Sequence, residues 1–340
     1  MRGRQDSIFA AKAKRSRQKL WIPLLLLLAA AVVGVAIWLL RSTGEKTPPT
    51  SSGTPSSDSA ARSPKLSDEQ TARLTQTLGA QNAVLYDVTR GTLLYGKNEA
   101  VPCSPASLTK LLTAAVALEY LPAETELTVG TEISFEDAEA STAGLRVGSK
   151  LTVAQLLDGL LLPSGGDAAY VLAVNAARKT APERTLNDWE AATAFCDLLN
   201  EKAAALGANN TYFVNPDGIY ATRHRTTAAD MARILQHAMS FPEIRAAVAK
   251  PSVRHTLASG QEVYWGNTNL LVNPNSPYYY SYAKGGKTGH TDEAGYCLGA
   301  FAERDGTELI AIVFGCSTEA QRFTDVAALF EAGFALAAGQ

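Results

Sequence analysis

One feature constrains this chain more than any other: the run from Leu20 to Leu40, 21 residues without a charge. At about 1.5 Å per residue a helix of that length spans roughly 30 Å, the hydrocarbon thickness of a bilayer, whereas the apolar stretch of a secretory signal is about 7–15 residues. Arg2, Arg4, Lys12, Lys14, Arg15, Arg17 and Lys19 precede the run against one acid, Asp6. Such an excess stays on the cytoplasmic side. Residues 20–40 are therefore expected to be a single transmembrane anchor behind a basic tail (1–19), with everything after Arg41 extracytoplasmic. The alternative is a cleaved signal peptide, and no small-x-small cleavage site follows Trp38-Leu39-Leu40-Arg41 to support it.

Between Ser42 and Lys65, 17 of 24 residues are Ser, Thr, Pro or Gly, too little apolar surface to offset the entropy of ordering them. Residues 41–65 read as a disordered tether, which leaves 66–338 as the folding domain. A net charge of −2, with the one dense basic cluster at the terminus, gives no basis for binding nucleic acid. The four cysteines, Cys103, Cys196, Cys297 and Cys316, form no Cys-x-x-Cys pair, so zinc-ribbon and thioredoxin-type readings have no support. Export permits a disulfide. Counting back from the turn at Asp305-Gly306 places Cys297 opposite Val313 rather than Cys316, so no bond between those two is expected.

Within the domain, Ala83–Val88 and Thr92–Tyr95 around Thr89-Arg90-Gly91 read as a β-hairpin. Ser104-Pro105 fits a helix start, with serine as cap and proline first inside, continuing through Leu108–Tyr120. Helices are also expected over 153–162, 168–177, 189–206 and 228–239. Strands follow over 282–287, 294–302 and 308–314, the last two joined by the Asp-Gly turn, then a helix from about Gln321. Strands at both ends enclosing helices make an α+β fold: an antiparallel sheet flanked by terminal helices, with a helical subdomain inserted.

Ser107-Leu108-Thr109-Lys110 puts a serine in the first turn of a helix and a lysine three residues on, both on one face. A serine hydroxyl needs a base at neutral pH, and a lysine serves once desolvation lowers its pKa. The helix N-terminus adds positive potential where an oxyanion would form. The spacing alone is weak, because Ser16 to Lys19 and Ser281 to Lys284 repeat it. The first of these lies in the basic tail, and the second on an expected strand, where residues three apart point to opposite faces. The plain alternative for Ser107 is a capping serine beside a solvated lysine. Lys287-Thr288-Gly289-His290 offers a cation, a hydroxyl and approachable backbone along a strand, suited to an extended peptide with a terminal carboxylate. Ser164-Gly165-Gly166 lies between two expected helices, with Asp167 placed to cap the second.

In this order and these settings the elements resemble the penicillin-recognising serine enzymes, which fold as β-lactamase and transpeptidase domains. Further stretches are similar to the D-Ala-D-Ala carboxypeptidases among the low-molecular-weight penicillin-binding proteins, peptidase family S11: Pro105–Lys110, Gly159–Gly165, Phe213-Val214-Asn215-Pro216-Asp217-Gly218, Asn267-Thr268-Asn269 and Lys287–Thr291. The resemblance implies removal of the terminal D-alanine from peptidoglycan stem pentapeptides through an acyl-enzyme, with β-lactams as covalent inhibitors, in a bacterial cell membrane. It implies Ser107 as nucleophile, Lys110 as its base, Ser164 as proton relay, Lys287 and Thr288 as carboxylate binders, and the N–H groups of Ser107 and His290 as oxyanion hole. No metal or other cofactor is implied, and His224, His237, His255 and His290 show no ligand spacing.

Two departures stand out. Gly166 occupies a substrate-facing position where the family's second motif usually ends in asparagine, so the amide that contacts the substrate carbonyl and steadies the lysine is missing. The family's common C-terminal β-domain and amphipathic helix have no counterpart before Gln340, and the N-terminal anchor would take over attachment. The rival readings are a β-lactamase, for which Glu183-Arg184-Thr185-Leu186-Asn187 superficially resembles a deacylating loop, and a non-catalytic penicillin- or muropeptide-binding sensor, for which Gly166 is the sequence support.

Overall fold

The computed structural model describes residues 65–339. The basic tail, the anchor and all of the tether but Lys65 lie outside them. Among the described residues no helix is long and apolar enough to cross a membrane.

Helix α1 (Asp68–Thr77) is opened by a capping box between Ser67 and Gln70. Strands β1 (Asn82–Asp87) and β2 (Thr92–Lys97) form the expected hairpin. Its turn is held by the Asp87 carboxylate, which accepts the Arg90 N–H at 2.9 Å and pairs with the guanidinium. The last three strands are β7 (Ala283–Thr291), β8 (Gly295–Arg304) and β9 (Thr307–Cys316). All five make one antiparallel sheet in the order β2-β1-β9-β8-β7. Asp305 and Gly306 both have positive φ, 50° and 78°, the geometry of a two-residue hairpin turn that follows strand twist.

Strand β9 explains how the sheet is layered. Leu309, Ala311 and Val313 pack with Phe323, Val326, Leu329 and Phe330 of the terminal helix, whereas Ile310, Ile312 and Phe314 enter the core shared with the helical block. With both faces covered the strand reads as an unbroken apolar run. The terminal helix, α8 (Glu319–Ala338), is capped by Thr318. The helical block comprises α2 (Thr109–Tyr120), α3 (Val153–Leu161), α4 (Gly166–Thr180), α5 (Asp188–Ala205), α6 (Ala228–Ala238) and α7 (Pro242–Val248).

Several expectations need correction. Ser104 caps nothing: the helix opens with a 3-10 turn at Ala106–Leu108 whose N-cap is Pro105, and the Ser104 hydroxyl is buried without a partner. Two short strand pairs escaped the sequence reading, β3 (Glu126–Thr128) with β4 (Lys150–Thr152) and β5 (Ser252–Thr256) with β6 (Glu262–Gly266). β3 and β4 are three residues long, below the length at which alternation can be told from loop, and β5 and β6 are five. Strand β7 runs four residues past Lys287, because Lys287 to Thr291 all pair with β8. Ser281 sits in the turn before β7 rather than on it. Cys297 falls at a bulge, with Leu298 and not Cys297 opposite Val313; the four cysteines are free thiols.

Candidate active site

The site is built outward from the start of α2. Ser107 lies in the 3-10 turn, where side chains three apart eclipse, and Lys110 Nζ donates to Ser107 Oγ at 3.0 Å. Lys110 is 2% exposed. Burial lowers its pKa, opposed by the carboxylates of Asp217, Glu136 and Asp167. A second bond, 2.6 Å to the Asp217 carbonyl, fixes the ammonium end. Thr113 reaches the neighbouring Pro216 carbonyl at 2.6 Å, and Thr109 bonds His224 Nε2 at 2.9 Å. His224 Nδ1 accepts the Val214 N–H, so the ring is neutral with its proton on Nε2; burial, then the Lys110 charge, push its pKa down to about 3. One face of α2 thus holds Pro216 and Asp217 directly and Val214 through His224.

That segment is an asparagine-centred turn. Asn215 Oδ1 accepts the Gly218 N–H at 2.8 Å and its amide donates to the Ile219 carbonyl. Gly218, at φ +90°, allows the turn to press against the nucleophile's backbone: a Cβ there would lie 1.9 Å from the Ala106 carbonyl oxygen. Gly289 does the same from the sheet, where a Cβ would meet Ala106 Cβ at 3.0 Å and the Ser107 nitrogen at 3.2 Å. These two close approaches hold Ser107 beside the β7 edge.

Ser107, Lys110 and His290 line one cleft together with Ser141, Asp217 and Thr291. Ser164, Lys287 and Thr288 do not line it; they are buried, at 4%, 1% and 4% exposure. A relay ties the Ser164 loop to β7: the Thr268 N–H donates to the Leu162 carbonyl at the head of that loop, and the Thr268 hydroxyl bonds Thr288 Oγ1 at 2.6 Å. Ser164 holds the strained φ of 70°, as residues at functional turns do. Burial, then the charges of Lys110 and Arg322, pull the Lys287 pKa well below its ordinary value. His290 is exposed and its ring lies 4.2 Å from that of Tyr296.

The second motif differs most from expectation. Asp167 does not cap α4, whose N-cap is Gly165. Its carboxylate instead organises the preceding loop, accepting the N–H groups of Ala143 and Leu145 at 2.8 Å and the Thr142 hydroxyl at 2.9 Å. Gly166 offers a substrate no side chain, and its N–H is taken by the Ser141 carbonyl at 2.7 Å. Above it stand Glu136 and Asp217, each close to where a side chain would grow. These carboxylates are not arranged as a metal site among the described residues. Glu183, the residue of the β-lactamase reading, is exposed in the loop between α4 and α5.

Fold and site together define a class, the serine-type hydrolases with a DD-peptidase fold. The sequence pattern of the D-alanyl-D-alanine carboxypeptidases, peptidase S11, matches residues 68–318. The chain belongs to that family. The carboxypeptidase DacB2 of Mycobacterium tuberculosis is 34% identical over 262 residues, covering 76% of this chain and 83% of the relative. DacF of Bacillus subtilis is 30% identical over 259 residues, and the chain spans 62% of its length while 75% of this chain is covered. The crystal structure of the DD-transpeptidase of Streptomyces strain K15 superposes with a TM-score of 0.70 at 33% identity, over 76% of this chain and 98% of that one.

Proposed function

We propose that this chain cleaves the terminal D-alanine from peptidoglycan stem peptides ending in D-Ala-D-Ala, through an acyl-enzyme on Ser107. The observation that carries the reading is the 3.0 Å contact between Ser107 Oγ and a lysine whose burial favours its neutral form. Neutral Lys110 takes the hydroxyl proton as Oγ attacks the penultimate D-alanine carbonyl. The oxyanion is held by the N–H groups of Ser107 and His290. Collapse breaks the peptide bond, and the proton passes through Ser164 to the leaving D-alanine amine. Water then attacks the ester, releasing the shortened peptide and restoring Ser107. Strand β7 is the sheet's edge, so its free side suits an extended peptide added as another strand. Lys287 and Thr288 would hold the terminal carboxylate, and a β-lactam would acylate the same serine.

The same proposal places residues 20–40 in the bacterial cell membrane as a single-pass anchor and residues 41–65 as the tether holding the catalytic domain on the extracytoplasmic side. The decisive assay is D-alanine release from a diacetyl-L-Lys-D-Ala-D-Ala peptide, beside labelling by a fluorescent penicillin. Release with a long-lived penicillin adduct is expected. Rapid turnover of the penicillin would favour a β-lactamase, and labelling without release would favour a sensor.

A further inference from the structure

Helix α4 begins at Gly166, where the family's asparagine is missing, yet the space an asparagine would fill is not empty. A Cβ on Gly166 would lie 2.8 Å from Glu136 Oε1 and 3.2 Å from Asp217 Oδ2. Glu136 arrives from elsewhere in the chain, at the end of the 3-10 turn Thr131–Phe135. Its Oε1 accepts the Asp167 N–H at 3.0 Å, so the carboxyl is fixed at the positive end of a 15-residue helix. The charges of Asp167 on α4 and Asp217 on the asparagine turn act on it, and its own charge acts on Tyr170 of α4 and Lys110 of α2.

A primary amide is useful beside a lysine base because it both accepts and donates. A carboxyl group can do either according to its protonation. Glu136 is pushed up to about 7, by burial first and then by Asp167, against the Asp167 N–H and the Thr142 hydroxyl, with Asp217 adding to the rise. Near neutral pH both forms are therefore populated. The ionised form raises the proton affinity of Lys110, and the protonated form donates.

We propose that Glu136 takes the place of the missing amide: delivered from the 131–135 turn into the volume above Gly166, its carboxyl acts on Lys110 through its charge, and residue 166 is glycine because that carboxyl needs the space. The inference rests on the acyl-enzyme chemistry proposed for Ser107. It reverses the simplest expectation for Gly166→Asn, since restoring the family residue here drives its Cβ into Glu136. Backbone strain is not the reason for glycine, because Gly166 is helical and has no positive φ.

The test is a double-mutant cycle of Glu136→Ala and Gly166→Asn, read by the rate of penicillin acylation and by melting temperature, with Glu136→Gln as the conservative variant. Each single change should slow acylation by about tenfold or more. The double variant, in which only the looser Asp217 contact remains, should be faster than both. Glu136→Gln should retain most of the rate at neutral pH. It should also move the acidic limb of the pH–acylation profile to lower pH, because removing a negative charge lowers the lysine's proton affinity. A double variant no faster than either single, a Glu136→Ala variant as fast as the native chain, or an unmoved limb in Glu136→Gln would overturn the proposal. A native chain that forms no adduct and releases no D-alanine would sink the acyl-enzyme reading instead. In that case the melting temperatures decide the substitution: Gly166→Asn should melt lower, the added Glu136→Ala should restore part of the loss, and additive losses would count against it.

Discussion

At the scale of single residues, the proposed chemistry depends on two opposed shifts, burial pulling the Lys110 pKa down and pushing that of Glu136 up to about 7. Ser107→Ala removes the attacking oxygen alone, so fluorescent-penicillin labelling should vanish while the circular dichroism spectrum and melting temperature stay near native values; stoichiometric labelling of the folded variant would defeat the assignment. Lys110→Ala should cut acylation by roughly a thousandfold or more, since nucleophile and base act as one unit, and Ser281→Ala, on the decoy repeat, should label normally. His224 and Glu136 also impose opposite dependences of stability on pH. His224 binds its proton at about 3 folded against 6.5 as its ordinary value. Between those limits the unfolded chain therefore holds more protons, and stability is complete above the higher value and lost as pH falls, by about 1.4 kcal/mol per unit. Glu136, raised from 4.5 to about 7, works the other way, losing stability as pH rises through that window. The thermal midpoint of His224→Gln should therefore fall less than that of the native chain between about pH 6.5 and pH 5, and that of Glu136→Gln should fall more; parallel curves for all three would show that neither group titrates as the geometry implies.

At the scale of elements, the site is a meeting of the 3-10 turn before α2, the asparagine turn and strand β7, and glycine sets how closely they approach. Gly218 and Gly260 both have positive φ, but a Cβ at Gly260, in the β5–β6 turn, would meet open space. Gly260→Ala should cost only the left-handed backbone penalty, about 1–2 kcal/mol, and leave acylation unchanged. Gly218→Ala should abolish labelling, because backbone cannot retreat as a side-chain end can. Equal effects of the two on acylation would mean that the turn does not position Ser107. Here the sequence was legible in part. Ser107 and Lys110 are singled out by their helix-start setting and the order of the three motifs rather than by spacing, which recurs at Ser16 and Ser281, and the sheet strands by apolar runs and the Asp-Gly turn. The 3-10 opening was not legible, because Ser-Pro fits a helix start equally well and only the packing of Gly289 and Gly218 against residues 106–107 selects the tighter turn. The bonds from Lys110 to Asp217 and from Thr268 to Thr288 join residues far apart in sequence, and local pattern carries no signal for them. Glu136 was hidden for the same reason: its partner is a missing side chain 30 positions on.

At the scale of the whole molecule, the described residues carry their own capped helices, a sheet buried on both faces and the candidate cleft around Ser107 and Lys110. The arrangement of layers was legible because strands at both ends of the domain and helices between them leave few ways to bury every apolar face. The anchor is an expectation from length and charge alone that lies outside the described residues, and its test is separate from that of the enzyme. A chain beginning at Lys65 should be soluble, should melt in one transition, and should acylate with penicillin at the rate of the full chain in detergent, because a Ser/Thr/Pro tether contributes no core. The full chain should sediment with membranes through salt and carbonate washes and be released by detergent, since about 20 apolar residues in hydrocarbon resist both washes. The two outcomes separate the two ideas. A full chain recovered in soluble form with its N-terminus inside the tether would show that the apolar run is a cleaved signal and leave the enzyme untouched. A truncated domain that aggregates or fails to acylate would show that the residues before Lys65 take part in folding, against the tether reading.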